Sequence, residues 1–215
     1  MKRPLRIAID GPSGSGKSTL GRELARRLGL PYIDTGAMYR AVAWAAGHAG
    51  VDDAHDIVAH LIRLRLEITA DPDDFRVQVN GRDVTDLLRT PEVGRAAAEV
   101  AAIAAVRAWL VPQQQAAAAG GAVVEGRDIG TAVLPDADFK FFVTSDEGTR
   151  MARRAAQLGT TSDAVEVVGD VRERDRMDRS RRISPLVPAP DAICLDTSGQ
   201  TVEQSLAAML REIDP

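Results

Sequence analysis

The residues GPSGSGKS, Gly11 to Ser18, place three glycines, one lysine and three serines in eight positions. They fit G-x-x-x-x-G-K-[ST] at every fixed position, between a short apolar run and an amphipathic stretch. Glycines at such spacing let successive backbone N–H groups turn inward around a phosphate, and a helix start adds the positive end of its dipole. Lys17 is then placed to reach the β- and γ-phosphates of a nucleoside triphosphate, and the Ser18 hydroxyl to help hold Mg2+. Gly11, Pro12, Ser13, Gly14, Ser15, Gly16 and Thr19 complete the expected ATP cradle.

A second concentration of chemistry is VRERDRMDRSRR, Val171 to Arg182, with six arginines in twelve residues of a chain whose net charge is −4. Lys2, Lys17 and Lys140 are the only lysines, so the arginine bias of a GC-rich genome explains abundance, and spacing has to carry the argument. At ~100° per residue on a helix, Arg174, Asp178 and Arg181 fall within roughly 60° of one another. Val167 and Val171 flank that stripe and turn it toward protein. Arg172, Arg176 and Arg179 land opposite, where Glu173 and Asp175 break up the charge, and Pro185 limits the helix beyond. Arginine's planar fork suits phosphate oxygens better than lysine's point charge. With 4% aromatic residues, no stacking platform and a net negative charge, nucleic acid is a poor partner.

The elements that must position these residues read as an α/β framework. Leu5 to Ile9 is a buried strand, and the following helix carries Leu20, Leu24 and Leu28 to Gly29. Pro31 to Ile33 is a second strand, and a helix begins near Gly36 with Met38, Val42 and Ala45 on one side. Leu66–Thr69 and Phe75–Val79 alternate with period two, and Asn80-Gly81 signals a hairpin. The stretch from Pro91 to about Ala119 is alanine-rich and helical. Ala122–Glu125 and Phe139–Val143 are continuous apolar strands of the parallel type, so residues of about 60–115 interrupt a parallel framework. A helix over Glu147–Leu158 ends at Gly159, a polar joint spans 159–162, and the arginine block rides on the next helix up to Ser184-Pro185. A strand at Ile193–Leu195 and a helix at Val202–Ile213 follow. Ligands of open parallel sheets sit beyond the carboxyl ends of the strands, which puts Arg40, Arg127 and Asp128 on the rim of the phosphate loop.

Other readings fall away on the same evidence. Guanine recognition by an Asn-Lys-x-Asp element has no counterpart, because the one asparagine, Asn80, precedes Gly81. The single cysteine, Cys194, precludes an internal disulfide and, in an apolar run, is expected in the core. His48, His55 and His60 lack metal-ligand spacing. The opening MKRPLRIAID has too short an apolar run for a secretory leader, and no stretch approaches the ~20 apolar residues of a membrane span. A cytoplasmic, monomeric protein with no membrane partner is the expectation.

Five motifs in order, IDGPSGSGKST, DTGAMYR, VVEGRDIGT, RERDRMDRSR and SPLVP, resemble those of the bacterial cytidylate kinases, within the nucleoside monophosphate kinases. The resemblance spans essentially the whole chain. It implies one P-loop kinase domain with a core of about 1–35, 120–150 and 183–215. A monophosphate-binding insertion with a small antiparallel hairpin would occupy about 36–119, and a short helical lid about 151–182. It implies transfer of the γ-phosphoryl of ATP to CMP or dCMP with Mg2+. By the same resemblance Arg40 and Arg127 hold the acceptor phosphate, and Arg107 and Asp128 read the cytosine. Arg174 and Asp178 lie near ribose and phosphate, and Arg181 is a further phosphate contact. Asp34, Thr35 and Tyr39 complete the CMP site, Arg153 belongs to the ATP side, and Lys17, Arg127, Arg174 and Arg181 stabilise the transfer. The chain departs at Ala98, where the family carries a base-contacting serine, which implies weaker rejection of UMP. Two rivals remain open from the residues alone: a P-loop kinase of another small acceptor, and a nucleotide-dependent switch without catalysis.

Overall fold

The computed structural model of the protein describes residues 4–159, 161 and 165–214. The continuous apolar runs form a five-stranded parallel sheet, as expected of strands buried on both faces. Its strands are β1 (Arg6–Asp10), β2 (Tyr32–Asp34), β6 (Ala122–Glu125), β7 (Phe139–Thr144) and β8 (Ile193–Asp196), in the order β2-β6-β1-β7-β8. The register brings Asp34 opposite Glu125 and Ile9 opposite Glu125, so the carboxyl ends of β2, β6 and β1 finish level. The rim therefore carries Asp10, Asp34 and Glu125 within three adjacent strands. Helix α1 (Lys17–Leu28) packs on β6 and β2 and against α8 (Val202–Ile213). Leu20 and Leu24 are buried at the predicted spacing, and Gly29 closes α1 in the left-handed conformation.

Between β2 and β6 the chain builds a second, smaller layer. Helix α2 (Thr35–His48) starts one residue before the expected Gly36, because the Asp34 carboxylate accepts the Ala37 N–H at 2.8 Å and caps it. A helix α3 (Ala54–Leu61) then leads to an antiparallel sheet of β3 (Leu66–Thr69), β4 (Arg76–Val79) and β5 (Arg82–Asp83). The Asn80-Gly81 signal marks the turn from β4 into the short β5 rather than the link between β3 and β4; Asn80 and Gly81 have φ of 51° and 81°. The alanine-rich stretch divides into α4 (Pro91–Val100) and α5 (Ala104–Ala117), a break the uniform composition conceals. Phe75, Val77, Val79, Val84 and Leu88 are buried in this layer, each worth ~1.5–3 kcal/mol on burial.

After β7, helices α6 (Glu147–Leu158) and α7 (Val165–Ser180) pack on each other. Of the expected joint, Gly159 ends α6 at φ 66°, while Thr160 and Ser162 lie outside the described residues. Arg181 stands one residue past the end of α7. Cys194 corrects the sequence reading: it is exposed, because β8 is an edge strand whose alternate residues Ile193 and Leu195 pack inward. Among the described residues no helix is long and apolar enough to cross a membrane.

Candidate active site

The phosphate loop leaves β1 at Gly11, whose φ of 148° and position leave no room for a side chain: a Cβ would lie 2.0 Å from the Val143 carbonyl oxygen. Lys17 folds back over the loop and donates to the Pro12 carbonyl at 2.7 Å. Burial first, and the neighbouring Arg127 guanidinium second, pull its ammonium down to about 7. The loop's outward carbonyls are held by α6 and the segment after β8. Arg150 Nη1 reaches Ser13 O at 3.4 Å, and Arg153 Nη1 and the Thr197 hydroxyl reach Ser15 O at 3.1 and 3.0 Å. Arg153 also donates to the Thr197 hydroxyl and carbonyl at 2.9 and 3.0 Å, so it ties the loop to the segment after β8. Arg154, its neighbour, lines the cleft.

Two strand-end carboxylates, Asp34 and Glu125, organise the near wall. The Ser18 hydroxyl donates to both oxygens of Glu125, at 2.8 and 3.0 Å. Burial, then the Asp34 charge, push the Glu125 carboxyl above its ordinary range. Thr35 donates through its hydroxyl to the Glu125 carbonyl at 2.8 Å, and Arg40 donates to Asp34 at 2.8 Å. Asp34 is thus both a helix cap and an arginine partner.

Arginines form the opposite wall. Arg127 Nε donates to Asp178 Oδ2 at 2.7 Å, and Arg181 donates to the other oxygen of the same carboxylate. Arg107, buried on α5, is paired with Asp128 and has its guanidinium carbon 5.8 Å from the Tyr39 ring centroid. Arg174 crosses from α7 to α4 so closely that a Cβ on Gly94 would lie 2.0 Å from its Nη2. The buried face of α7 carries Val167, Val171 and Asp178 as expected and takes in Asp175 as well. Asp175 corrects the reading that placed it on the solvated face, since α7 packs on α6 there and Asp175 pairs with buried Arg150 at 2.6 Å. Arg172, Arg176 and Arg179 are exposed as expected, with Arg172 on Glu147 and Arg176 on Glu173.

Together these walls enclose a cleft of about 670 Å3 that contains Lys17, Ser18, Asp34, Arg40, Arg127, Asp128, Arg174, Asp178, Arg181 and Ala98. Thr19, Thr35 and Tyr39 line it as well; Arg107 stands behind Asp128. Gly94 and the cleft arginines Arg22, Arg26 and Arg89 had no local signal, because only the tertiary arrangement brings them to the site.

A family model described as cytidylate kinase matches residues 7–215. The chain belongs to the cytidylate kinase family. The cytidylate kinase of Desulfitobacterium hafniense (strain Y51) is 45% identical over 216 residues, covering 98% of this chain and 93% of that protein. The bifunctional pantoate ligase/cytidylate kinase of Prochlorococcus marinus (strain MIT 9313) is 44% identical over 218 residues, covering 98% of this chain. This cytidylate kinase family member spans less than half of such bifunctional relatives, 43% in that case. An uncharacterized protein from Eubacterium ventriosum ATCC 27560 has the same fold, with a TM-score of 0.55 at 14% identity and 98% of both chains covered.

Proposed function

We propose that the protein transfers the γ-phosphoryl group of ATP to CMP or dCMP, giving ADP and CDP or dCDP. The observation that carries the reading is one cleft with two phosphate-binding walls, Lys17 and the phosphate loop on one side and Arg127 and Arg181, joined by Asp178, on the other. An oxygen of the CMP phosphate attacks the γ-phosphorus, the bond from that phosphorus to the β,γ-bridging oxygen breaks, and ADP leaves. The attacking oxygen is already anionic, so the step needs positioning and charge neutralisation rather than a general base. Lys17 neutralises charge on the donor phosphates, while Arg40, Arg127, Arg174 and Arg181 hold the acceptor phosphate in line.

Asp128 and Tyr39, which line the cleft, suit the cytosine end, with Arg107 paired to Asp128 from behind. Ala98, buried on α4, gives the base no hydrogen bond, which supports UMP as a weaker second acceptor. The Ser18 hydroxyl and Glu125 carboxylate form an oxygen donor set that fits Mg2+, with Ser18 as ligand and Glu125 orienting it. Held there with ATP, Mg2+ would supply charge neutralisation on the donor phosphates. In this reading residues of about 36–119 close over CMP, and α6 with α7, about 151–182, close over ATP; the protein acts as a cytoplasmic monomer.

A coupled ADP-release assay over CMP, dCMP, UMP, AMP and small hydroxylated metabolites tests the reading. CMP and dCMP are expected to give the highest kcat/KM. A preferred metabolite hydroxyl would replace it with the rival small-acceptor kinase.

A further inference from the structure

Asp10 is the last residue of β1, immediately before Gly11, and does not line the cleft. Its buried carboxylate accepts two consecutive backbone N–H groups, Ile129 on Oδ1 and Gly130 on Oδ2, each at 2.8 Å. Those amides open the π-helical turn Ile129–Val133, directly after Arg127 and Asp128. Upstream, the Gly126 N–H donates to the Ile9 carbonyl at 2.9 Å. Strand β1 therefore grips the segment 126–130 at both ends, once by backbone and once by side chain. Each carboxyl oxygen accepts one amide, an arrangement that the donor-free ionised aspartate satisfies completely.

The surroundings argue against a purely local role. Burial pushes the carboxyl up to about 6 while the Gly130 and Ile129 amides pull it down; the charged neighbours are Asp128 and Lys17. Lys140 on β7 passes beside Gly130, but its ammonium is taken by Asp191 and the Pro135 carbonyl. The carboxylate is thus kept beside the loop by its amides rather than by a dedicated cation.

We propose that Asp10 is a positioning residue for the acceptor site, fixing Arg127 and Asp128 at a set distance from the phosphate loop that its own strand delivers. One carboxylate thereby registers the acceptor-binding loop against the donor-binding loop. The inference rests on the reading of Arg127 and Asp128 as CMP ligands.

In Asp10→Asn the side-chain NH2 faces a backbone N–H, donor against donor, and one end of the loop is released. Calorimetry is expected to show CMP binding weakened ~10-fold with ATP binding within ~2-fold of wild type, and kcat lower by up to ~100-fold. Equal weakening of ATP and CMP would make Asp10 a support of the phosphate loop, and unchanged CMP affinity and kcat would remove any role in positioning; either result overturns the proposal. Should Asp10→Asn fail to fold, Gly130→Ala presses the same contact from the other side, with its Cβ 3.4 Å from Asp10 Oδ2 and 3.1 Å from Lys140 Cδ. It is expected to weaken CMP ~3-fold and leave ATP unmoved, the mark of a small displacement of the loop; an unchanged CMP affinity again overturns the proposal. Asp128→Asn separates the two levels. A CMP defect there with none at Asp10→Asn sinks the anchor alone, whereas no defect at Asp128→Asn sinks the acceptor assignment on which it stands.

Discussion

Replacing Asp178 by asparagine keeps the side chain's size and removes the charge that two arginines share. The carboxylate is 4% exposed and accepts from Arg127 Nε at 2.7 Å and from Arg181. Burial pushes Asp178 up, but Arg127 first and Arg181 second outweigh it and hold the carboxyl below the ordinary range, so the group is ionised in the native protein. One charge-assisted hydrogen bond is lost outright, because the amide NH2 cannot accept, and the one left on the amide oxygen is weakened; each is worth ~1.5–3 kcal/mol before discount. The Arg127 side chain is a quarter exposed, at 25%, which moderates its share by solvent screening. The net loss is then ~3 kcal/mol, or a fall in Tm of ~6–12 °C for a chain of this size. Without the carboxylate, Arg127 and Arg181 face each other uncompensated, and a phosphate dianion can take its place. Thermal melts with added inorganic phosphate should therefore recover part of the lost Tm in Asp178→Asn and do less for wild type. Steady-state kinetics should show kcat/KM for CMP lower by ~100-fold while ATP affinity changes little. A variant that melts with wild type, ignores phosphate and keeps its CMP kinetics would refute the shared-carboxylate account.

Three further outcomes follow from the geometry. Gly94→Ala places a Cβ 2.0 Å from Arg174 Nη2; the guanidinium can swing away, so kcat/KM for CMP should fall ~10-fold or more while Tm holds, alanine being the better helix former. Wild-type kinetics for that variant would show Arg174 to be idle. Asp10 has its carboxyl raised from 3.8 to about 6, so its stabilising contribution is complete below pH 3.8 and is lost as pH rises through about 6. Urea unfolding of wild type and Asp10→Asn should show their stability difference shifting against wild type by ~2 kcal/mol between about pH 4 and pH 7, and a pH-independent difference would contradict the shift. Glu125→Gln leaves Ser18 a weaker acceptor and should raise the half-saturating Mg2+ concentration ~10-fold with CMP affinity unaltered, as titration of activity with Mg2+ reads directly.

The donor side was legible because its signals are local. Strand, glycine loop and helix follow one another within residues 6–28, and each glycine or cap acts on its immediate neighbours. The period-two runs at Leu66 and Arg76 and the capped start of α2 were readable for the same reason. The break between α4 and α5 was not, because alanine favours helix on both sides of it. Asp175 and Cys194 were misread where partners decide burial: α6 supplies Arg150 to one, and the sheet edge leaves the other in water. Arg153 shows how much detail a motif leaves to the fold. The sequence can put an arginine near the loop, but only the fold decides that its guanidinium meets Ser15 O while Arg154 lines the cleft. The Asp10 anchor had no signal at all, since its partners are backbone amides more than a hundred residues away.

The most direct measurement follows the phosphorus itself. With ATP labelled at the γ-phosphorus and CMP as acceptor, the account predicts that the label appears in the β-phosphate of CDP in step with ADP release. Label released as inorganic phosphate, at a rate indifferent to CMP, would contradict it.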